Sequence, residues 1–266
     1  MSTMPAAGPS ARRRVAWTVS DTVVMAWRNL LRYLRLPNLL VFSTVQPVMF
    51  VVLFTYVFGG AIDVPADSYI DYLIPGIFVQ TVVFGATQTG VGLAEDLSRG
   101  MVDRFRSLPM ARSAVLAGRT LGDTVRNVFV VLLMTGVGTL VGFRFHAGFL
   151  PAAGALALAV LFGLAFCWVQ AFIGLSVGNV EAAQAAGFVG VFPLVFASSA
   201  FVPVASMPGW LQAFAEVQPI SVTIDALRAL CLGGPTATHV WRALAWIAVI
   251  LLVFVPLSVR RYRRVA

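Results

Sequence analysis

The chain has 266 residues, of which 59% are hydrophobic and only 11% are charged, and its mean hydropathy is +0.88. A soluble domain carries about 25% charged residues, so this composition excludes an ordinary soluble protein and indicates that lipid is the main solvent. All 19 basic residues are arginine, which excludes a P-loop with its phosphate-binding lysine. Because these arginines adjoin apolar segments, the net charge of +8 favours membrane lipids over nucleic acid as partners.

The N-terminal region divides into two parts. Residues 1–15 are small, polar and basic, which predicts a disordered basic tail. Residues 16–37 are predicted to form an amphipathic helix that lies in the membrane interface, the alternative being a surface helix packed on a partner. Its apolar side has helical spacing and consists of Val23, Trp27, Leu30, Leu31 and Leu34. Its basic side consists of Arg28, Arg32 and Arg35, and Pro37 is expected to end the helix.

Six apolar segments are about as long as the ~20 residues that a helix needs to cross the hydrocarbon core. They are residues 38–58, 72–93, 122–143, 149–177, 182–202 and 240–259. Arginines concentrate before the first segment, between the second and third, and in a basic tail at 260–266. The positive-inside rule therefore places both termini and the segment between the second and third spans in the cytoplasm. The sequence predicts an all-α membrane protein with six transmembrane helices.

The segment between the second and third predicted spans is unusually polar. Residues 95–112 hold seven charged side chains between two long apolar runs. Gly100 is expected to break the preceding helix, and Pro109 to stop a short amphipathic helix at about 100–109. Its apolar side, at i, i+4 and i+7, consists of Met101, Phe105 and Leu108. Such a helix either lies among lipid headgroups or inserts into a groove of a soluble partner with charged rims.

Charged side chains beside this insert have spacings that favour ion pairs. Glu95 and Asp96, which close the second predicted span, are expected to be solvated or to pair with Arg99 or Arg119. Otherwise the charged residues lie near the ends of the predicted spans. That distribution disfavours an ion-coupled secondary transporter, which needs ionisable side chains deep in the membrane.

Polar side chains on the second predicted span share one helical face with an aromatic residue. They are Gln80, Phe84, Thr87 and Gln88. Polar groups within a span usually face protein or a cavity. This face therefore either packs on other helices through hydrogen bonds, or lines a path for an amphiphile at an interface with a second membrane chain. In the second case it would act together with Phe188, Phe192 and Phe196 of the fifth span.

The proline-rich segment 203–239 resists assignment as a span. Its two short apolar pieces, at about 210–217 and 220–230, are far below membrane-spanning length. They are predicted to be external re-entrant or interfacial helices within about 203–235. The candidate residues of an outer gate are Trp210, Glu216, Asp225 and Arg228. Asp225 and Arg228, three residues apart, are expected to form an ion pair. No spacing typical of a catalytic or metal site is present, so neither is predicted.

Two regions resemble the ABC-2-type permeases of ATP-binding-cassette exporters, in the form seen in the daunorubicin-resistance-type branch. One is residues 95–123, EDLSRGMVDRFRSLPMARSAVLAGRTLGD. The other is 192–230, with Phe-Val-Pro at 201–203, Met-Pro-Gly-Trp-Leu at 207–211 and Asp-Ala-Leu-Arg at 225–228. With the six-span pattern, the resemblance extends over about residues 20–260.

This resemblance implies the permease subunit of an exporter that moves a drug, antibiotic or lipid out of the bacterial cytoplasm or inner leaflet. ATP and Mg would be bound by a separate ATPase, in two copies, and none by this chain, which would pair with a second permease in the cytoplasmic membrane. The helix at 100–109 would be the coupling helix. Its expected contacts to the ATPase are Arg99, Met101, Asp103, Arg104, Phe105, Arg106 and Leu108. The alternatives are a polysaccharide or glycolipid exporter permease and an ATP-independent secondary transporter.

Overall fold

The computed structural model describes residues 22, 24–27, 37–100 and 112–265. Within these ranges the chain is helical and contains no β-strand, which confirms the all-α prediction. The N-terminal residues 1–15, most of the predicted interfacial helix at 16–37 and most of the predicted coupling helix at 100–109 lie outside the described residues.

Residues 37–100 and 112–265 contain eight α-helices. The first five are α1 (Pro37–Leu53, continued by a π-helical turn at Phe54–Phe58), α2 (Tyr69–Ser98), α3 (Arg112–Val141), α4 (Phe149–Val177) and α5 (Val180–Phe196). After a short 3₁₀ turn at Val204–Ser206, the remaining three are α6 (Gly209–Val217), α7 (Pro219–Leu232) and α8 (Thr236–Val265).

Four of these helices are long and apolar enough to cross a membrane: α2, the Leu116–Val141 part of α3, α4 and α8. Helix α5 has 17 residues, or ~26 Å at 1.5 Å per residue, and ends at Phe196 where the predicted span continued to residue 202. The described apolar part of the first span, Thr44–Phe58, is also below 18 residues. The structure therefore supports a multi-pass helical protein, and the count of six spans stays a prediction.

Local capping explains where several helices begin and end. Ser68 starts α2 four residues before the predicted span, because its Oγ accepts the backbone N–H of Asp71 at 3.2 Å. Gly178, with a φ of +81°, ends α4, and the Asn179 Oδ1 then accepts the N–H of Ala182 to begin α5. Pro219 occupies the first turn of α7, where its missing N–H is not needed.

The helices beside the polar insert extend further than the apolar segments predicted. Helix α2 continues through Ser98, and α3 begins at Arg112, ten residues before the predicted start of the third span. Gly100 forms a turn with a φ of +65°, as expected for a helix break. The discrepancy arises because hydropathy measures the part of a helix that suits lipid, whereas the helix itself continues as long as its backbone ladder is intact.

Helix α2 lies at the centre of the bundle. Of its most apolar window 83% is buried inside the protein, against 22% for α8 at the periphery. Helix α4 crosses it closely, since a Cβ on Gly90 would lie 2.6 Å from the Gln170 carbonyl oxygen. Large fully buried side chains include Phe78, Leu73 and Ile77 of α2 itself and Phe143, Phe162 and Ile224 from other parts of the chain.

A second buried cluster lies at the end of α2 nearest the insert. It consists of Met25, Leu93, Leu116, Trp168, Ala171, Leu175 and Tyr262. Residues 260–265, predicted as a basic tail, instead continue α8, because the buried Tyr262 packs in this cluster and Arg261 Nε donates to the Leu175 carbonyl at 3.3 Å. Among the described N-terminal residues, Met25 is buried and Trp27 is exposed, so that segment packs on the bundle through one side.

Candidate functional site

The two ends of the polar insert carry ion pairs among the partners that the sequence suggested, and the first of them follows from helical spacing. Arg99 pairs with Glu95 one turn earlier at 2.6 Å, with 67% of the arginine side chain exposed. Arg119 reaches back across the insert to Asp96 at 3.5 Å, and only 7% of its side chain is exposed. The second pair therefore ties the end of α2 to the beginning of α3 inside the protein.

Arg119 belongs to a buried polar network between α2 and α3. Its Nε lies 3.6 Å from the fully buried Asp123 carboxylate, and its guanidinium donates to the Gln88 carbonyl at 3.3 Å. The Thr89 hydroxyl donates to the same Asp123 carboxylate at 2.5 Å. Buried charges are tolerated only when such partners surround them.

This network continues to the middle of α2. Arg126 is only 3% exposed. Its guanidinium donates to the Gly85 carbonyl at 2.6 Å and to the Asn127 side chain at 3.0 Å. Gly85 lies about halfway along the 30 residues of α2. The expectation that charged side chains lie only near span ends is therefore wrong. The sequence feature that could have predicted this buried network is the i, i+4, i+7 spacing of Arg119, Asp123 and Arg126 on one helical face.

The polar face predicted on α2 is only partly one surface in the structure. Gln80 and Thr87 are each 2% exposed, Phe84 is buried, and Gln88 is exposed. The Thr87 hydroxyl donates to the Phe84 carbonyl at 2.6 Å within the helix. The Phe84 ring approaches Phe188 of α5 with 5.8 Å between centroids, so α2 and α5 meet at this aromatic pair.

Further aromatic side chains extend from α5 towards α1. Phe192 stacks on Phe196 with 4.3 Å between ring centroids, and Phe196 lies 5.2 Å from Phe201. Phe54 of α1 stacks on Phe201 at 4.4 Å. We call Phe192, Phe196, Phe201 and Phe54 the aromatic row. Phe192 is 52% exposed, so the aromatic row is open on one side. The sequence predicted the α5 members; the contributions of α1 and Phe201 become visible only once the helices are placed beside each other.

At the opposite end of α2, Arg228 of α7 joins three parts of the chain. Its Nε donates to the Tyr72 carbonyl at 3.0 Å, and its guanidinium carbon lies 3.5 Å above the Tyr72 ring. It also donates to the Ser199 carbonyl and pairs with Asp225 at 3.2 Å, which confirms the expected ion pair. Ser199 in turn donates from its hydroxyl to Asp225 at 3.0 Å. We call this set of four residues the Arg228 cluster.

The other two candidate gate residues lie apart from this cluster. Trp210 is 76% exposed on α6, and Glu216 is also exposed. Gln218, which the sequence did not suggest, anchors the segment instead: its Nε2 donates to the carbonyls of Leu194 and Ala197 at 2.9 and 2.8 Å, closing the C-terminal end of α5.

Six of the seven predicted coupling residues lie outside the described residues. They are Met101, Asp103, Arg104, Phe105, Arg106 and Leu108. The seventh, Arg99, is at the exposed end of α2. Within residues 22, 24–27, 37–100 and 112–265, no group of three or more His, Cys, Asp or Glu side chains could hold a metal ion.

Comparison with known proteins decides the family. The sequence profile of the ABC-2 type transporter matches residues 20–232. The chain belongs to the ABC-2 type transporter family. It is 35% identical over 263 residues to the daunorubicin resistance ABC transporter permease protein DrrB1 of Streptomyces coeruleorubidus, covering 99% of this chain and 92% of that relative.

Two further relatives are similar to the chain at lower sequence identity. The probable doxorubicin resistance ABC transporter permease protein DrrC of Mycobacterium tuberculosis is 30% identical over 258 residues, covering 96% of this chain and 93% of that protein. The putative transport permease ycf38 of Cyanophora paradoxa is 25% identical over 225 residues, covering 80% and 74%. The resemblance predicted from the two sequence regions is therefore confirmed.

Proposed function

We propose that this chain is the membrane-spanning permease subunit of an ATP-driven exporter for hydrophobic or amphiphilic molecules such as drugs, antibiotics or lipids. The observation that carries this proposal is the 35% identity over 99% of the chain to a daunorubicin resistance permease. The apolar helices that enclose the aromatic row support it, because such a row offers stacking surfaces to a planar amphiphile. ATP and Mg would be bound by a separate ATPase.

The proposed assembly has two copies of the ATPase and two permease chains in the bacterial cytoplasmic membrane. In it the chain crosses the membrane six times, with both termini and the insert in the cytoplasm and the 203–235 segment outside. The arginine distribution supports this orientation, since the insert region 95–120 carries five arginines and the loop at 59–68 carries none.

The insert would couple the ATPase to the helices. In this proposal, Met101, Phe105 and Leu108 anchor it in a groove of the ATPase, while Asp103, Arg104 and Arg106 set its register. The pair between Arg119 and Asp96 supports transmission of movement, because it fixes the helices on both sides of the insert to each other. A rigid pair of helices transmits displacement better than two independent ones.

The experiment that tests the proposed function is purification of the chain from its native membrane in mild detergent, followed by identification of the bound proteins. A nucleotide-binding ATPase is expected to copurify. The Phe105→Ala variant is expected to retain membrane insertion and lose most of the ATPase, because removing a buried anchor from a protein interface costs ~2 kcal/mol or more. Absence of any nucleotide-binding chain with the wild-type protein would overturn the proposal.

The aromatic pair of Phe84 and Phe188 predicts a change of selectivity when one of its members is removed. In Phe84→Ala the contact to Phe188 at 5.8 Å is lost, so transport of planar aromatic substrates should fall about threefold to tenfold while basal ATPase activity is retained. Gln80→Leu should likewise change the relative rates of different substrates. The measurement is efflux from inverted vesicles for a panel of amphiphiles; an equal loss for every substrate would contradict a substrate-contacting role.

A further inference from the structure

Gln170, in the C-terminal third of α4, carries a polar group that the fold leaves unsatisfied. The residue is 1% exposed, and its side-chain Oε1 has no hydrogen-bond partner among the residues that the structure describes. A buried acceptor without a donor is unfavourable in any protein, and more so among apolar helices where water is scarce. Such a group calls for an explanation in terms of a ligand or a function.

The unsatisfied oxygen lies where three helices meet. It is 3.0 Å from the position that a Cβ on Gly187 of α5 would occupy, and the side chain of Thr87 of α2 lies 3.5 Å from the same position. The Thr87 hydroxyl is itself engaged with the Phe84 carbonyl. On the α5 side the acceptor therefore faces a glycine, which has no side chain to place over it.

This position is directly behind the aromatic pair. Gly187 precedes Phe188, whose ring approaches Phe84 at 5.8 Å, and Phe84 lies one helical turn from Thr87 on α2. Phe188 is 36% exposed, and its neighbour Val189 is 74% exposed. A small outward displacement of α5 would therefore open the acceptor to whatever molecule lies against the two phenylalanine rings.

We propose that Gln170 is a specificity-determining residue of the substrate path, which accepts a hydrogen bond from a hydroxyl or amine of a planar aromatic amphiphile. The ring system of that amphiphile stacks on Phe84 and Phe188, while its donor group reaches Oε1 behind Gly187. The inference rests on the proposed export function. It extends that function by assigning a residue that selects among substrates, since a buried acceptor discriminates against compounds that lack the matching donor.

The test uses two probes that differ in one donor group, 2-hydroxyanthraquinone and 2-methoxyanthraquinone. Binding to the full chain in lipid nanodiscs is measured and corrected for partition into empty nanodiscs. The wild-type chain should prefer the hydroxyl compound. Gln170→Met, which keeps the volume and removes the acceptor, should weaken binding of the hydroxyl compound about threefold to tenfold and change that of the methoxy compound less than about twofold.

The matched control is Gln212→Met on α6, a glutamine outside the proposed path, which should leave both affinities unchanged. Thermal unfolding provides a second measurement: because Gln170→Met removes an unsatisfied buried group, the unfolding temperature should not fall. A clear drop in that temperature would mean that the oxygen is satisfied within the folded protein, and this would overturn the proposal.

Equal weakening for both probes, or no preference in the wild-type chain, would also overturn the inference. These outcomes are distinct from failure of the proposed function, which depends on copurification of an ATPase. If the ATPase is present and Gln170→Met does not change the preference between the two probes, the exporter assignment stands and only the role of Gln170 falls.

Discussion

Replacing Arg119 with methionine is expected to lower the unfolding temperature of the purified protein by roughly 10 °C. The reason is electrostatic. Asp123 is fully buried, and the Arg119 guanidinium lies 3.6 Å from its carboxylate and 3.5 Å from that of Asp96. Removing one partner of a buried ion pair leaves an uncompensated charge and costs about 3–5 kcal/mol. The measurement is thermal unfolding in detergent or nanodiscs.

The insert offers a matched control at its other boundary. Arg99 also pairs with a carboxylate, at 2.6 Å from Glu95, but its side chain is 67% exposed. Exposed pairs contribute about 0–1 kcal/mol, so Arg99→Met should change the unfolding temperature little. Similar losses in the two variants would contradict the importance of burial.

A double variant separates the buried charge from the loss of packing. In Arg119→Met with Asp123→Asn, the carboxylate is removed together with its partner, while the asparagine oxygen still accepts the hydrogen bond from Thr89. This double variant should be more stable than Arg119→Met alone. A double variant that is less stable would show that side-chain packing, not the charge on Asp123, makes Arg119 necessary.

Replacing Arg119 alone with methionine should affect transport more than assembly with the ATPase. Under the proposed mechanism, Arg119 fixes the helices on both sides of the insert, so Arg119→Met should still bind the ATPase but couple ATP hydrolysis poorly to efflux. The measurement is the ratio of transport to ATP hydrolysis, which Arg242→Met, at an exposed arginine of α8, should leave unchanged. If Arg119→Met lowers both rates in proportion, the residue stabilises the fold without a separate part in coupling.

The contacts that sequence spacing could predict are local ones. The pairs between Glu95 and Arg99 and between Asp225 and Arg228 follow from i, i+4 and i, i+3 positions on one helix. Helices α6 and α7 were predicted close to their observed bounds, because Pro208 and Pro219 mark where each begins.

The contacts that spacing could not predict join distant parts of the chain. Arg126 and Gly85 are 41 residues apart, and Arg228 and Tyr72 are 156 apart. An average of hydropathy along a segment does not say which side of a helix faces protein, so Arg112 and Arg119 of α3 were assigned to the polar insert. The buried network, the α1 members of the aromatic row and Gln170 all depend on how helices pack against one another.

Replacing Arg228 with lysine is expected to loosen the end of the bundle opposite the insert. Lysine keeps the positive charge but lacks the planar fork that contacts the Tyr72 carbonyl, the Ser199 carbonyl and the Asp225 carboxylate at the same time. Loss of two charge-assisted hydrogen bonds, each contributing about 1.5–3 kcal/mol, should increase local opening of α7 roughly a hundredfold or more.

The two native cysteines allow this opening to be measured without further substitution. Cys231 lies three residues after Arg228 on α7 and is fully buried, and Cys167 is fully buried in α4. Under the proposed orientation, a membrane-impermeant maleimide added from the outside should label Cys231 of Arg228→Lys faster than that of the wild type and leave Cys167 unlabelled. The control is Arg242→Lys, the same change at an exposed arginine of α8. Equal labelling in the two variants would contradict a clamping role.

A third variant distinguishes the ion pair of Arg228 from its contacts to backbone carbonyls. The Asp225 side chain is 42% exposed, against 13% for that of Arg228. In Asp225→Asn, water can therefore replace the lost carboxylate as a partner of the Arg228 guanidinium. The carbonyls of Tyr72 and Ser199 are still held by the arginine in that variant. Asp225→Asn should therefore increase Cys231 labelling much less than Arg228→Lys. The reverse order would mean that the ion pair holds α7 in place, and that the cation over the Tyr72 ring and the two carbonyl contacts are secondary.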